Sequence, residues 1–163
     1  MNEANRKKRN QTKLSECYPK FAQSVTNILT ELENQGVRPR IQEAWRSPAA
    51  QLVAYNSGHA KLKYGFHNVT DKNGKPESPA VDILDDDAPL NPSKCFLLML
   101  AASARRNGLQ TGILWGLTPA LSNGVNQAIN AGNFNANVKI GWDPCHVEVI
   151  GITPTQAKAG TRP

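Results

Sequence analysis

The sequence has no apolar run approaching the roughly 20 residues that a membrane-spanning helix requires, and none of its segments reads as one. Its cysteines, Cys17, Cys95 and Cys145, are three in number and widely spaced. That excludes both a disulfide framework and a paired-cysteine zinc pattern, and leaves reduced thiols, mostly in the core. A glycine-rich phosphate loop is absent, and no strand-helix-strand unit repeats. Acidic residues are in deficit: 13 Asp and Glu against 19 Lys and Arg give a net charge of +6. Such a balance favours an anionic partner, whether nucleic acid, an acidic membrane or an acidic polymer such as bacterial wall, and charge alone does not choose among them.

What is present fits one domain of 163 residues around a single core. Residues 1–13 carry the cluster Arg6, Lys7, Lys8 and Arg9 without the interleaved aromatics of a nucleic-acid stacking platform, and read as a flexible basic arm. They are also too polar for a signal peptide, so the chain is expected to be soluble and made in the cytoplasm. From Leu14 the positions Cys17, Phe21, Val25, Ile28, Leu29 and Leu32 recur at spacings of three and four, predicting an amphipathic helix that stops at Gly36. Arg38 to Trp45 reads as a strand. Ser47-Pro48 opens a helix that runs to about Asn56 and ends at Gly58. Lys61 to Pro79, with its turn Asp71-Lys72-Asn73-Gly74-Lys75-Pro76, is an excursion on the surface.

Ala80 to Leu84 alternates with period two, turning Val81 and Ile83 to the core and Asp82 to the opposite face. Ser93 caps a buried helix over Lys94 to Asn107, Thr111 to Trp115 reads as a strand, and Pro119 to Ala131 as a helix. The last strand, His146 to Ile150, turns Val147 and Val149 inward and puts His146 and Glu148 on one face. The expected boundaries are 1–13 for the arm, 14–152 for the folded catalytic domain and 153–163 for a frayed tail. The fold class is α+β, a small antiparallel sheet flanked by helices.

Only three histidines occur, and His67 and His146 sit in acidic settings: Asp82 follows His67 by fifteen positions, and Asp143-Pro144-Cys145-His146-Val147-Glu148 closes the fold. Two imidazoles and a carboxylate make a catalytic zinc set with a fourth position left for water, whose pKa zinc lowers toward about 7. Asp143, three residues before His146, suits the base that a hydrolase needs close to that water. Glu148 either orients a ligand or binds a substrate ammonium. His59, eight residues before His67, competes as a ligand.

The set Trp45-Arg46-Ser47, Gln51, Tyr55, Gly58, His67-Asn68, Ser78-Pro79-Ala80-Val81-Asp82, Trp115-Gly116 and Trp142-Asp143-x-x-His146-x-Glu148 resembles the zinc D-alanyl-D-alanine carboxypeptidase and L-alanyl-D-glutamate endopeptidase family. That family includes phage endolysins and the vancomycin-resistance dipeptidases. The resemblance spans about Trp45 to Val149 and is specific as a set. It implies His67, Asp82 and His146 as zinc ligands, Asp143 as general base, Arg46 as the cation that stabilises the oxyanion, and Gln51 and Trp142 as substrate contacts. Three departures stand out. Gly65 replaces a serine before the first histidine, Val69 to Glu77 stretches the spacing to Asp82, and Leu117 to Lys139 splits the family's compact Trp-Gly-x-x-Trp run, where it is expected to wall the cleft.

The implied function is a monomeric zinc peptidase cutting the peptidoglycan stem peptide, foremost between L-alanine and D-glutamate, as endolysins do in bacterial lysis. Terminal D-alanine removal, a secreted antibacterial effector with the same chemistry, and an inactive wall-binding module are the alternatives. Nucleic acid and stable membrane association are not expected. Without a signal peptide, the enzyme would reach the wall or periplasm through a holin or a secretion machine.

Overall fold

The computed structural model describes residues 1–163. Four strands, β1 (Pro39–Glu43), β2 (Ala80–Asp85), β3 (Leu109–Gly112) and β4 (Asp143–Val149), form one antiparallel sheet in the order β1-β2-β4-β3. Six helices flank it: α1 (Glu3–Leu14), α2 (Pro19–Asn34), α3 (Pro48–Asn56), α4 (Lys94–Arg106), α5 (Pro119–Asn130) and α6 (Pro154–Lys158). The fold is α+β with a small antiparallel sheet, as expected, and none of its helices is long and apolar enough to cross a membrane.

The alternation of side chains divides the sheet's faces between two tasks. Ile41, Val81, Ile83, Val147 and Val149 point to one face, where they meet Val25, Ile28 and Leu32 of α2 and Leu98 and Leu100 of α4 in the main core. Asp82 and His146, directly opposite one another in the β2–β4 register, point to the other. Burying the apolar face fixes the strand register, because a slip of one residue would turn the whole set over. The core therefore aims the polar face.

Several expectations are corrected at this level. The segment read as a flexible arm is α1, capped by Asn2, and Arg6 and Asn10 are buried in it. Its side chains take the place of a missing neighbour along the open edge of β1: Arg6 Nη1 and Asn10 Nδ2 donate to the Pro39 carbonyl, Asn10 Oδ1 accepts from Ile41 N, and Arg9 donates to the Ile41 and Gln42 carbonyls. Side chains thus satisfy edge groups that would otherwise be free to template aggregation. Arg6 further pairs with Glu3 and Glu33. Arg6→Ala is expected to cost about 2 to 3 kcal/mol, and removal of residues 1–14 to lower the thermal midpoint sharply with aggregation. A flexible arm could be cut off without either effect, and calorimetry distinguishes the two.

The amphipathic helix starts at Pro19, not Leu14, since proline at its first position opens a new helix while Cys17 bridges to Ser78. Strand β3 lies earlier than expected, because the chain turns at Gly112, where a Cβ would stand 2.2 Å from the Asp143 carbonyl. Strand β4 begins three residues before His146, at Asp143. The tail is not frayed. Thr153 and Gln156 form a capping box for α6, Ala157 is buried, and Arg162 binds Glu77 and the Thr70 carbonyl.

Candidate metal centre

His67 lies on a single 3-10 turn, Phe66–Asn68, that hydrogen bonds tie to its surroundings. Asn68 accepts from Gly65 N through Oδ1 and donates to the Arg46 carbonyl through Nδ2, while Arg46 N donates to the His67 carbonyl. His67 Nδ1 donates to the Ala44 carbonyl at 2.5 Å, which leaves Nε2 as an acceptor. On β4, His146 Nε2 donates to Glu148 at 2.9 Å, which leaves Nδ1 as the acceptor. Glu148 is fixed in turn by Gln110.

The two free imidazole nitrogens and Asp82 converge. His67 Nε2 lies 3.1 Å from His146 Nδ1 and 3.5 Å from Asp82 Oδ1, and His146 Nδ1 lies 3.1 Å from the same oxygen. Three lone-pair donors facing one another in a largely buried place repel unless a positive charge stands among them. Ligands about 2.0–2.1 Å from a tetrahedral zinc stand about 3.4 Å apart, close to the three separations here. The donor set and its spacing fit a metal ion, and the stretched His67-to-Asp82 interval does not prevent it: Val69 to Glu77 turns outward around Asp71, whose carboxylate accepts from Asn73 N and Lys75 N. His59 is outside this group, exposed, with its Nδ1 on Ser57 Oγ.

The electrostatics point the same way. Burial works against ionisation of Asp82, but the two imidazoles outweigh it and hold its carboxyl well below the usual range. A proton on His146 can meet the same demand for positive charge. Donated from Nδ1 to Asp82 and from Nε2 to Glu148, it outweighs the burial penalty on the charged ring and pushes His146 up to about 10, so a metal ion binds by displacing that proton from Nδ1. Asp143 moves the other way: burial raises it above its ordinary value, opposed by His146 and reinforced by Asp82. Its carboxylate makes no hydrogen bond within the protein and faces the cleft.

That cleft encloses about 450 Å³ and is lined by all three candidate ligands together with Arg46, Gln51, Trp115, Trp142, Asp143 and Glu148. Every site residue read from the sequence is thus brought to one place. Leu117 to Lys139 lines none of it, which corrects the expectation that this insertion forms a cleft wall. The segment carries α5 against α4 instead.

The two halves of the split tryptophan motif meet in space. Gly141 N donates to the Ile113 carbonyl, Trp142 N donates to the Trp115 carbonyl, and a Cβ on Gly141 would lie 2.7 Å from three backbone atoms. Only glycine permits that approach. Trp142 then packs on Trp115 at 5.2 Å, and Trp115 on the His146 ring at 5.4 Å.

The same architecture is found in a solved structure. The fold is shared with the Serratia marcescens L-Ala D-Glu endopeptidase ChiX. The two superpose with a TM-score of 0.53 over 86% of each chain at 15% identity, a likeness of fold alone. No family model and no curated protein sequence matches this chain.

Glu43 was not singled out in the sequence. Its carboxylate grips Arg46 at Nε and Nη2, and Arg46 Nη1 donates to Gln51 Oε1 at 2.9 Å. Gln51 Nε2 donates to the Leu62 carbonyl, so both ends of its amide are committed within the protein. Period-two alternation would send Glu43 to the same face as Ile41. The bulge between them turns it toward Asp82 instead. Glu148→Ala is expected to weaken metal affinity about 10- to 100-fold by freeing the His146 ring, measured by competition with a chromogenic chelator.

Proposed function

We propose that this protein is a zinc-dependent peptidase of the bacterial wall that cuts the peptidoglycan stem peptide between L-alanine and D-glutamate. The observation that carries the proposal is the convergence of His67 Nε2, Asp82 and His146 Nδ1, with the unbonded Asp143 carboxylate in the same cleft. The Serratia protein of the same fold is an L-Ala D-Glu endopeptidase, which supports the choice of bond.

In this reading His67, Asp82 and His146 hold the ion. Zinc, when bound, supplies a Lewis acid that polarises the scissile carbonyl and acidifies water. Asp143, held above its ordinary pKa by burial, takes the proton of the attacking water and returns it to the leaving amine. Arg46, held by Glu43 and Gln51, presents its guanidinium to the developing oxyanion. Glu148 orients His146, and the exposed Trp142 offers the substrate an apolar platform. Gln51 acts through Arg46 more than through the substrate. The enzyme works as a monomer, made in the cytoplasm and delivered to the wall by a holin or a secretion machine, and its basic surface suits that anionic polymer.

Digestion of purified peptidoglycan followed by fragment masses tests the reading. The expected products carry a new N-terminal glutamate. Release of free D-alanine without it assigns the site to a D,D-carboxypeptidase.

A further inference from the structure

Helix α3 has its polarity reversed. An amphipathic helix on a globular domain turns its apolar stripe to the core. Within Pro48–Asn56, however, the only buried residue is the polar Gln51, whereas Leu52 and Val53 are 47% and 68% exposed, with Ala49 and Ala50 exposed beside them. The loop that follows is tied to the same helix by the bond from Gln51 to the Leu62 carbonyl and adds the exposed Leu62. Of the nine exposed large apolar side chains in the protein, four (Leu52, Val53, Tyr55 and Leu62) fall within these eleven positions.

The charge on this unit has one sign. The chain carries no acidic residue between Glu43 and Asp71, and the loop presents Lys61 and Lys63, both exposed, with the Lys63 ammonium 5.3 Å from the centre of the Tyr55 ring. Leu52 and Val53 stand outside the cleft, on the outer side of the helix, while His59, Lys61 and Leu62 form its rim. Protein-binding hot spots are typically Trp, Tyr or Arg anchors seated in pockets. Here the exposed surface is mainly aliphatic and flanked by ammonium groups. Such a surface fits the headgroup layer of an anionic bilayer, where the aliphatic side chains leave water and the ammoniums meet lipid phosphates.

We propose that the outer face of α3 and the 59–63 loop form a peripheral docking surface for an anionic lipid bilayer. Docking is weak, reversible and salt-sensitive, and it presents the mouth of the cleft at the membrane surface. It does not depend on the chemistry assigned to the cleft.

The test is co-sedimentation of the full chain with phosphatidylcholine vesicles with and without phosphatidylglycerol. Anionic vesicles are expected to take up about tenfold more protein at low salt, and raised salt to reduce that excess. The pair Leu52→Glu and Val53→Glu, and separately the pair Lys61→Glu and Lys63→Glu, should each remove most of the excess, with circular dichroism unchanged. Lys20→Glu, an exposed change on α2, should leave it intact. Equal uptake by both vesicle types overturns the proposal, as does an equal loss with Lys20→Glu. A concentration-dependent dimer that Leu52→Glu abolishes also overturns it, assigning the face to a second copy of this chain.

Discussion

Replacing Asp143 with alanine is expected to leave a folded protein that still takes up zinc but hydrolyses wall peptide about 10²- to 10⁴-fold more slowly. The fold should not suffer, because the Asp143 side chain bonds to nothing within the protein; it is the backbone of Asp143, through its carbonyl, that crowds Gly112. Metal should be retained, because the three converging donor atoms belong to other residues. The rate should collapse, because no other carboxylate of the cleft is free to take its place: Glu148 is held by His146 and Gln110 and Asp82 by the imidazoles, while Glu43, behind Arg46, is held by that guanidinium. Kinetics and metal content measured on one sample separate the two effects. Undiminished hydrolysis removes Asp143 from its role.

The second large effect is removal of the metal. A chelator at neutral pH is expected to reduce hydrolysis to background, and an equimolar amount of zinc to restore it. Two imidazole lone pairs and a carboxylate held 3.1 to 3.5 Å apart bind a dication through groups already positioned by Ala44, Glu148 and the sheet, so little reorganisation opposes rebinding. Because the ion binds the folded chain, its loss should also lower the thermal midpoint. Full activity after exhaustive chelation contradicts the proposed chemistry.

Local patterns made part of this molecule legible in advance. The helical spacing of Phe21, Val25, Ile28, Leu29 and Leu32 identifies a face that is buried throughout α2. Strand alternation puts Asp82, and His146 with Glu148, on the non-core faces of β2 and β4. That Asp82 and His146 stand opposite one another is a fact of register, and spacing along the chain carries no register.

What was not legible depends on contacts between distant segments. Helix α1 has too few apolar positions to show a core-facing stripe; it is held by side chains bonding the open edge of β1, more than twenty residues away. Glu43 escapes because a single bulge reverses its face. The 117–139 insertion suggested a cleft wall because it interrupts a motif, yet Gly141 docks on the 113–115 turn and restores the Trp115–Trp142 contact without it.

The most direct measurement of the central claim is native mass spectrometry of the purified protein after zinc loading, beside Asp82→Ala and His146→Ala. The account predicts one zinc per wild-type chain and none on either folded variant. A folded wild-type chain that takes up no zinc, or variants that keep theirs, would contradict it.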